Sequence, residues 1–311
     1  MYRCSRFVVL FILIAGCFQT VVAQSGDSVF LFSYFKNNGE DGLHLAYSKD
    51  GYTYTALKSD SSFLKPTVSA DKLMRDPCII RGHDGRFHMV WTVSWNDKGI
   101  GYSSSADLVN WEPQQFIPVM AHEPTVLNCW APEIFYENGS YMIYWASTIP
   151  GRFPATDSGG DEKYNHRMYY VSTRDFKQFT KAALLYEQGF NVIDATIQKA
   201  GKKYYMFLKD ETRYPPQKNL RVATSSKLAG PYSMPSAPVT GDYWAEGPTV
   251  VYNKGSWLMY FDKYTLHKYG LLESRDLLRW NDVSEKLKVP NGLRHGTVLT
   301  ISAGELDRLM Q

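Results

Sequence analysis

Five polar residues stand where a β-rich chain would place small or apolar ones. They are Asp76 in RDPCII, Glu133 in CWAPEIF, Asp194 in NVIDATI, Glu246 in WAEGPTV and His295 in RHGTV. Each opens a run of apolar and β-branched residues, the pattern of a buried strand. A carboxylate there is costly unless it is paired, hydrogen-bonded or kept for chemistry. Carboxylates gathered in one place push their pKa values apart, which sets a protonated acid beside an ionised base near neutral pH. That is equipment for proton transfer. Any one of these acids alone is accounted for by turn amides or by pairing with Arg75 or Arg294. Five polar residues in register call for a different explanation.

The register comes from an internal repeat. One element, ending mostly in an aromatic, recurs as LAYSKDGYTY, GYSSSADLVNW, YYVSTRDFKQF, RVATSSKLAGPY and LLESRDLLRW. A second element precedes four of these copies: RDPCIIRGHDGRFHMVW, APEIFYENGSYMIYW, IDATIQKAGKKYYMF and AEGPTVVYNKGSWLMYF. Each reads as a strand, a glycine turn and another strand. A fifth, partial copy, RHGTVLTI, lacks its second strand, and SVFLFSYF at residues 28–35 supplies it from the other end of the chain. Five units of about four strands, the last completed by the N-terminal strand, define an all-β, five-bladed β-propeller. A lone four-stranded sheet cannot bury both faces, whereas five in a ring bury against one another. The five polar residues then converge on the axis. No long amphipathic helix is expected, and residues 151–166 (GRFPATDSGGDEKYNH) read as a polar loop insertion.

The 311 residues carry a net charge of +3 with no block of like charge. This gives no nucleic-acid stripe and no polybasic membrane patch. Residues 1–24 form a secretory leader: a basic MYRCSR, an apolar FVVLFILIAG too short to span a bilayer, and small residues leading to cleavage after Ala23. IAGC, ending at Cys17, also resembles a lipoprotein box, so an outer-membrane lipoprotein is the alternative to a secreted or periplasmic protein. Residues 25–311 then form one propeller domain. Of four cysteines, Cys4 and Cys17 lie in the leader. Cys78 and Cys129 read as buried thiols, with a single disulfide as the alternative, and no Cys/His spacing suits zinc. Aromatic residues make up 15% of the chain, so some rings beyond those of the core are available to line a cleft. Two carboxyl groups across a cleft with aromatics nearby are the apparatus of glycoside hydrolysis.

These segments resemble glycoside hydrolase family 43, five-bladed propeller enzymes acting on arabinose- and xylose-containing glycans. The resemblance spans essentially the whole chain after the leader. Any one tripeptide is weak, but in order and one per blade they are specific. By resemblance, Asp76 in RDPCII is the general base, Asp194 in NVIDATI tunes the acid, and Glu246 in AEGPTV is the general acid. CWAPEIF and RHGTV match the family's second-blade segment and its late histidine-glycine. Two departures stand out. Arg75 replaces a histidine common before the base, and Glu133 replaces an aspartate.

The resemblance implies an inverting mechanism, with terminal α-L-arabinofuranose on plant cell-wall polysaccharide as first substrate and β-D-xylose or galactose as alternatives. Trp95, Trp130 and Trp244 are expected as sugar platforms, each equally well explained by packing between blades. Arg75, Glu133, Arg294 and His295 are expected to contact substrate. No cofactor is required, no metal is expected, and no protein partner is evident. In some relatives the equivalent histidine holds a water or a calcium ion, which leaves calcium at His295 as an option, although calcium prefers several oxygens. The 151–166 loop is expected to wall off one end of the cleft and favour exo action. An invertase-like propeller shares Arg-Asp-Pro, but places it in a middle blade. SKDGYTY looks like a sialidase Asp-box, yet no arginine triad accompanies it. A non-catalytic glycan-binding propeller would keep the aromatics but need not keep Asp76, Asp194 and Glu246 together.

Overall fold

The structure, a computed structural model, describes residues 28–311. The expected leader, with Cys4, Cys17 and the site after Ala23, lies outside the described residues. Five antiparallel sheets make five blades. Blade 1 pairs β1 (Ser28–Phe35), β2 (His44–Ser48) and β3 (Thr55–Ala56) with the last strand of the chain, β19 (Arg294–Ser302). Blade 2 holds β4 (Arg75–Arg81), β5 (Phe87–Thr92), β6 (Ile100–Ser105) and β7 (Gln115–Ile117). Blade 3 holds β8 (Trp130–Glu137), β9 (Ser140–Ser147), β10 (Arg167–Thr173) and β11 (Ala183–Tyr186). Blade 4 holds β12 (Val192–Ala200), β13 (Lys203–Asp210) and β14 (Asn219–Ser225). Blade 5 holds β15 (Glu246–Asn253), β16 (Ser256–Lys263), β17 (Lys268–Ser274) and β18 (Asn281–Asp282).

The inner strands close a ring in which β4 touches β8 and β19, β8 touches β12, β12 touches β15, and β15 touches β19. The seam is closed as the repeat predicts, with β1 antiparallel to β19 from Ser28 opposite Ser302 to Phe35 opposite Arg294. Five apolar clusters hold the ring together, one between each pair of neighbouring blades. The blade 5–blade 1 cluster joins Phe32 and Leu271. Fully burying a side chain of this size contributes about 1.5–3 kcal/mol. Cys78 and Cys129 are buried free thiols.

Four copies of the aromatic-ended element form the same turn. In blade 2 the Ser105 hydroxyl accepts the N–H groups of Asp107 and Leu108, and the Asp107 carboxylate accepts those of Val109 and Asn110. Ser48/Asp50, Thr173/Asp175 and Ser274/Asp276 repeat the pattern. In blade 4 a lysine, Lys227, stands where the aspartate belongs. The segment after it carries Pro231, Pro235 and Pro238, which cannot donate to a ladder. No fourth strand is assigned, but Ser233, Ser236 and Thr240 hydroxyls accept the N–H groups of Thr224, Val222 and Leu220 and seal that edge.

A seven-residue helix, α1 (Ala303–Leu309), follows β19, with a capping box between Ser302 and Glu305. Its Leu306 and Leu309 join the blade 1–blade 2 cluster, and Glu305 pairs with Arg81 at 2.6 Å. Among the described residues no helix is long and apolar enough to cross a membrane.

Candidate active site

Every inner strand begins with a bulge at the same place. Pairing breaks between Arg75 and Cys78, Trp130 and Glu133, Ile193 and Thr196, Glu246 and Thr249, and at Arg294 in the β19–β1 pair. The bulge corrects the expected register. Asp76, Asp194 and His295 are equivalent, sharing the second position with Ala131 and Gly247. Glu246 stands one residue earlier, level with Arg75, Trp130, Ile193 and Arg294. Glu133 stands two residues later, level with Cys78, Thr196, Thr249 and Thr297. Asp76, Ala131, Asp194 and Gly247 all have φ between 46° and 58°. This left-handed kink is uncommon for non-glycine residues and collects at functional sites. Gly247 is required for a second reason: a Cβ there would lie 2.4 Å from Cγ of His295.

The kinks turn these side chains into a pocket of about 430 Å³ at one mouth of the axis. Of the residues expected there, Arg75, Asp76, Trp95, Trp130, Asp194, Glu246, Arg294 and His295 line it. Glu133 does not. Its carboxyl faces the opposite half of the axial channel, with Cys78, Thr196, Thr249 and Thr297. Trp244 is not on the pocket wall either. It lies behind Tyr264, ring centroids 6.0 Å apart, with Arg213 over its face at 4.8 Å. Tyr264 lines the pocket in its place.

Asp76 receives the Thr92 hydroxyl at 2.7 Å, and Nδ1 of His295 lies 3.4 Å from its other oxygen. Burial alone would raise its pKa, but His295, Arg75 and Thr92 together bring it down to about 2. The Thr92 oxygen also accepts the Ala131 N–H, which fixes its own orientation. Asp194 accepts the Gly247 N–H at 3.0 Å and sits 3.8 Å from Nδ1 of His295. Burial first, and then the Glu246 charge, lift Asp194 to about 6 despite His295. Burial opposes a charge on His295, yet Asp194 and Asp76 outweigh it and push the imidazole up to about 9.

Glu246 is held by two cations, Lys209 Nζ at 3.0 Å and Arg294 Nη2 at 3.2 Å. Arg294 also binds Asp262 at 2.7 Å, so its partners are Glu246 and Asp262 rather than Glu133. Arg75 packs between the rings of Phe35 and Trp95, at 4.7 and 4.3 Å, and donates to Asn38. Trp95 and Trp130 meet edge to face at 5.4 Å.

The 151–166 loop supplies wall residues that its polarity alone did not single out: Asp161, Glu162, Tyr164 and His166. The Tyr164 and His166 rings stack at 13° and both lie against Trp130. Burial brings His166 down to about 4, so it is neutral. Lys209 in β13 and Glu211 just after it, in YYMFLKDE, were also missed. The available signal was a run of three charges, Lys209, Asp210 and Glu211, closing an apolar strand.

Calcium fits this arrangement poorly. The imidazole offers a nitrogen where calcium prefers several oxygens, and both oxygens of Asp76 already face partners, the Thr92 hydroxyl and Nδ1 of His295. No group of three or more His, Cys, Asp or Glu residues among those described is placed to hold a metal.

A five-bladed propeller with three carboxylates and a protonated histidine at one mouth defines the class, a propeller glycosidase. Comparison with known proteins identifies the family. The profile of the probable glycosyl hydrolase domain related to family 43 matches residues 27–307, and the chain belongs to that family. It is 23% identical over 214 residues to an α-L-arabinofuranosidase of Bifidobacterium longum, a match covering 61% of this chain and 20% of that protein. The chain therefore spans about a fifth of that relative. The fold is similar to a thermostable family-43 glycoside hydrolase, with TM-score 0.52, 18% identity, and coverage of 67% of this chain and 71% of the other. It is similar also to the native Bacillus subtilis arabinanase, with TM-score 0.53, 17% identity, and coverage of 76% and 82%.

Proposed function

We propose that the protein is an inverting, exo-acting α-L-arabinofuranosidase that trims side chains of plant cell-wall polysaccharides. The observation that carries the chemistry is the gathering of Asp76, Asp194 and Glu246 around His295 in one pocket. Asp76 is the base. Held at about 2, it stays ionised and takes a proton from water as the oxygen attacks the anomeric carbon. Glu246 is the acid and delivers a proton to the leaving oxygen as the glycosidic C–O bond breaks. Asp194, tied to the Gly247 N–H beside Glu246, is the positioning carboxylate for it. Attack on the face opposite the leaving group inverts the anomeric centre. Inversion needs the two carboxyls about 6.5–9.5 Å apart, with water between base and sugar.

The sugar assignment is supported by the arabinofuranosidase relative. Exo action is supported by the 151–166 loop, whose Asp161, Glu162 and Tyr164 line the pocket. Arg75, Trp95, Trp130 and Arg294 contact the sugar in this reading. The leader at residues 1–24 supports export, with lipidation at Cys17 as the alternative route to the cell surface. β-D-Xylosidase or galactosidase action on the same scaffold is the second reading.

Hydrolysis of 4-nitrophenyl α-L-arabinofuranoside, β-D-xyloside and β-D-galactoside, with Glu246→Gln as control, tests the proposal. Release from the arabinoside alone, lost in the variant, is expected. Release from the xyloside alone reassigns the sugar, and undiminished activity of Glu246→Gln overturns the acid.

A further inference from the structure

We propose that Glu211 is a positioning residue that couples the 151–166 loop to Glu246, so that seating the loop and placing the acid are one event. This rests on the reading of Glu246 as the general acid. Four charged side chains form an unbroken chain from that residue to the loop. Lys209 Nζ lies 3.0 Å from Glu246 and 2.6 Å from Glu211. Lys218 Nζ lies 2.5 Å from the other Glu211 oxygen and 3.0 Å from Asp161. Both lysines are 1% exposed, so neither ammonium has water as a fallback. Each lysine has one other carboxylate, Glu246 or Asp161, so removing the Glu211 charge takes one of two partners from each and loosens both ends of the chain together. Glu211 is the one group that touches both.

The loop end of the chain is well placed to respond. Asp161 and Tyr164 exchange backbone hydrogen bonds at 3.1 and 3.0 Å, and Arg213, two residues after Glu211, donates its N–H to Gly159 at 2.8 Å. The Tyr164 ring lies against Trp130 on the pocket wall. Contact at that wall is therefore felt through Asp161, Lys218, Glu211 and Lys209 at the Glu246 carboxyl. Glu162, which also lines the pocket, pairs with none of these lysines, so Asp161 is the link from the loop.

Glu211→Gln keeps the shape and removes the charge. Two readouts are taken on the full chain. The first is kcat on an unactivated arabino-oligosaccharide against a 2,4-dinitrophenyl arabinofuranoside, whose leaving group needs little proton assistance. An acid-positioning role predicts that the unactivated substrate slows at least about tenfold more than the activated one, within the about 10²–10⁴ that general acid catalysis supplies. A merely structural role slows both alike, which would overturn the proposal. The second is amide hydrogen exchange. The Asp161 and Tyr164 amides are expected to exchange about tenfold faster, while amides of the β1–β19 pair are unchanged. Unchanged loop exchange overturns the coupling, even if the wild type cleaves neither glycoside and the arabinofuranosidase reading has failed by itself. Asp161→Asn, at the exposed end, is the second variant should Glu211→Gln not fold. It is expected to shift both readouts in the same direction by about threefold, and no shift in either overturns the proposal.

Discussion

The two mouths of the axial channel are built from the same five strands, yet they hold carboxylates in opposite conditions. At one mouth Asp76 has a hydroxyl, an imidazolium and a guanidinium around it and is held at about 2. Two positions further along the neighbouring strand, Glu133 has the Tyr144 hydroxyl at 2.9 Å and sits close to Thr196. Burial dominates there, and Thr196, His295 and Tyr144 do not fully offset it, so Glu133 rises to about 7. The bulge separates the two levels by turning the residues before it into the pocket and leaving those after it in the channel. Partners, not residue type, hold one carboxylate low and leave the other raised.

The comparison can be broken first at Asp76. Asp76→Asn removes the proposed base without changing its shape, and kcat is expected to fall by about 10²–10⁴ in a variant that still unfolds in one cooperative transition, at a lower temperature because His295 loses a partner. Near-wild-type turnover would move the base elsewhere. His295→Gln comes next. The imidazolium is what keeps Asp76 so low, so its removal raises Asp76, and the acidic limb of kcat/KM moves to higher pH by at least about one unit. A profile that drops in height without moving would show that His295 only packs.

Glu133→Gln carries the smallest expected effect and tests the other mouth. The folded state holds this proton up to about 7, against an ordinary 4.5. The stability this group contributes is fully present below about pH 4.5 and lost as pH rises through 7. Glutamine has no such loss. The variant should match the wild type at pH 4 and exceed it above pH 8, by up to about 3 kcal/mol in denaturant titrations. A gain equal at both pH values would assign the effect to packing.

Much of this arrangement was readable because the fold repeats. The Ser/Thr-x-Asp turns recur in sequence since the same four backbone N–H groups must be satisfied at four of the blade edges, and SVFLFSYF finds its place because the last copy lacks a strand. The tripeptides around Asp76, Asp194 and Glu246 were legible for the same reason. Register was not. Aligning WAPEIF with AEGPTV by their carboxylates ignores the bulge, which sits between Glu246 and Thr249 in one strand and between Trp130 and Glu133 in the other. Glu133 was therefore assigned to the wrong mouth. Trp244 was misplaced because the chain before β15 turns its ring behind Tyr264, and no local pattern announces that. Lys209 and Lys218 reach Glu246 and Asp161, 37 and 57 residues away, so only the closed ring shows that these lysines and the Glu211 between them belong to the site. The short helix α1 was not expected, although the Ser302–Glu305 capping box in SAGE is a local signal for its start.

The central claim is that chemistry belongs to the mouth holding Asp76 and Glu246 and not to the one holding Glu133. Turnover of Glu246→Gln and Glu133→Gln on the same arabino-oligosaccharide, at pH 6 and equal concentration, tests it most directly. The predicted result is a loss of about 10²–10⁴ in Glu246→Gln and a change of no more than about threefold in Glu133→Gln. Equal losses in the two variants, or the larger loss in Glu133→Gln, would contradict it.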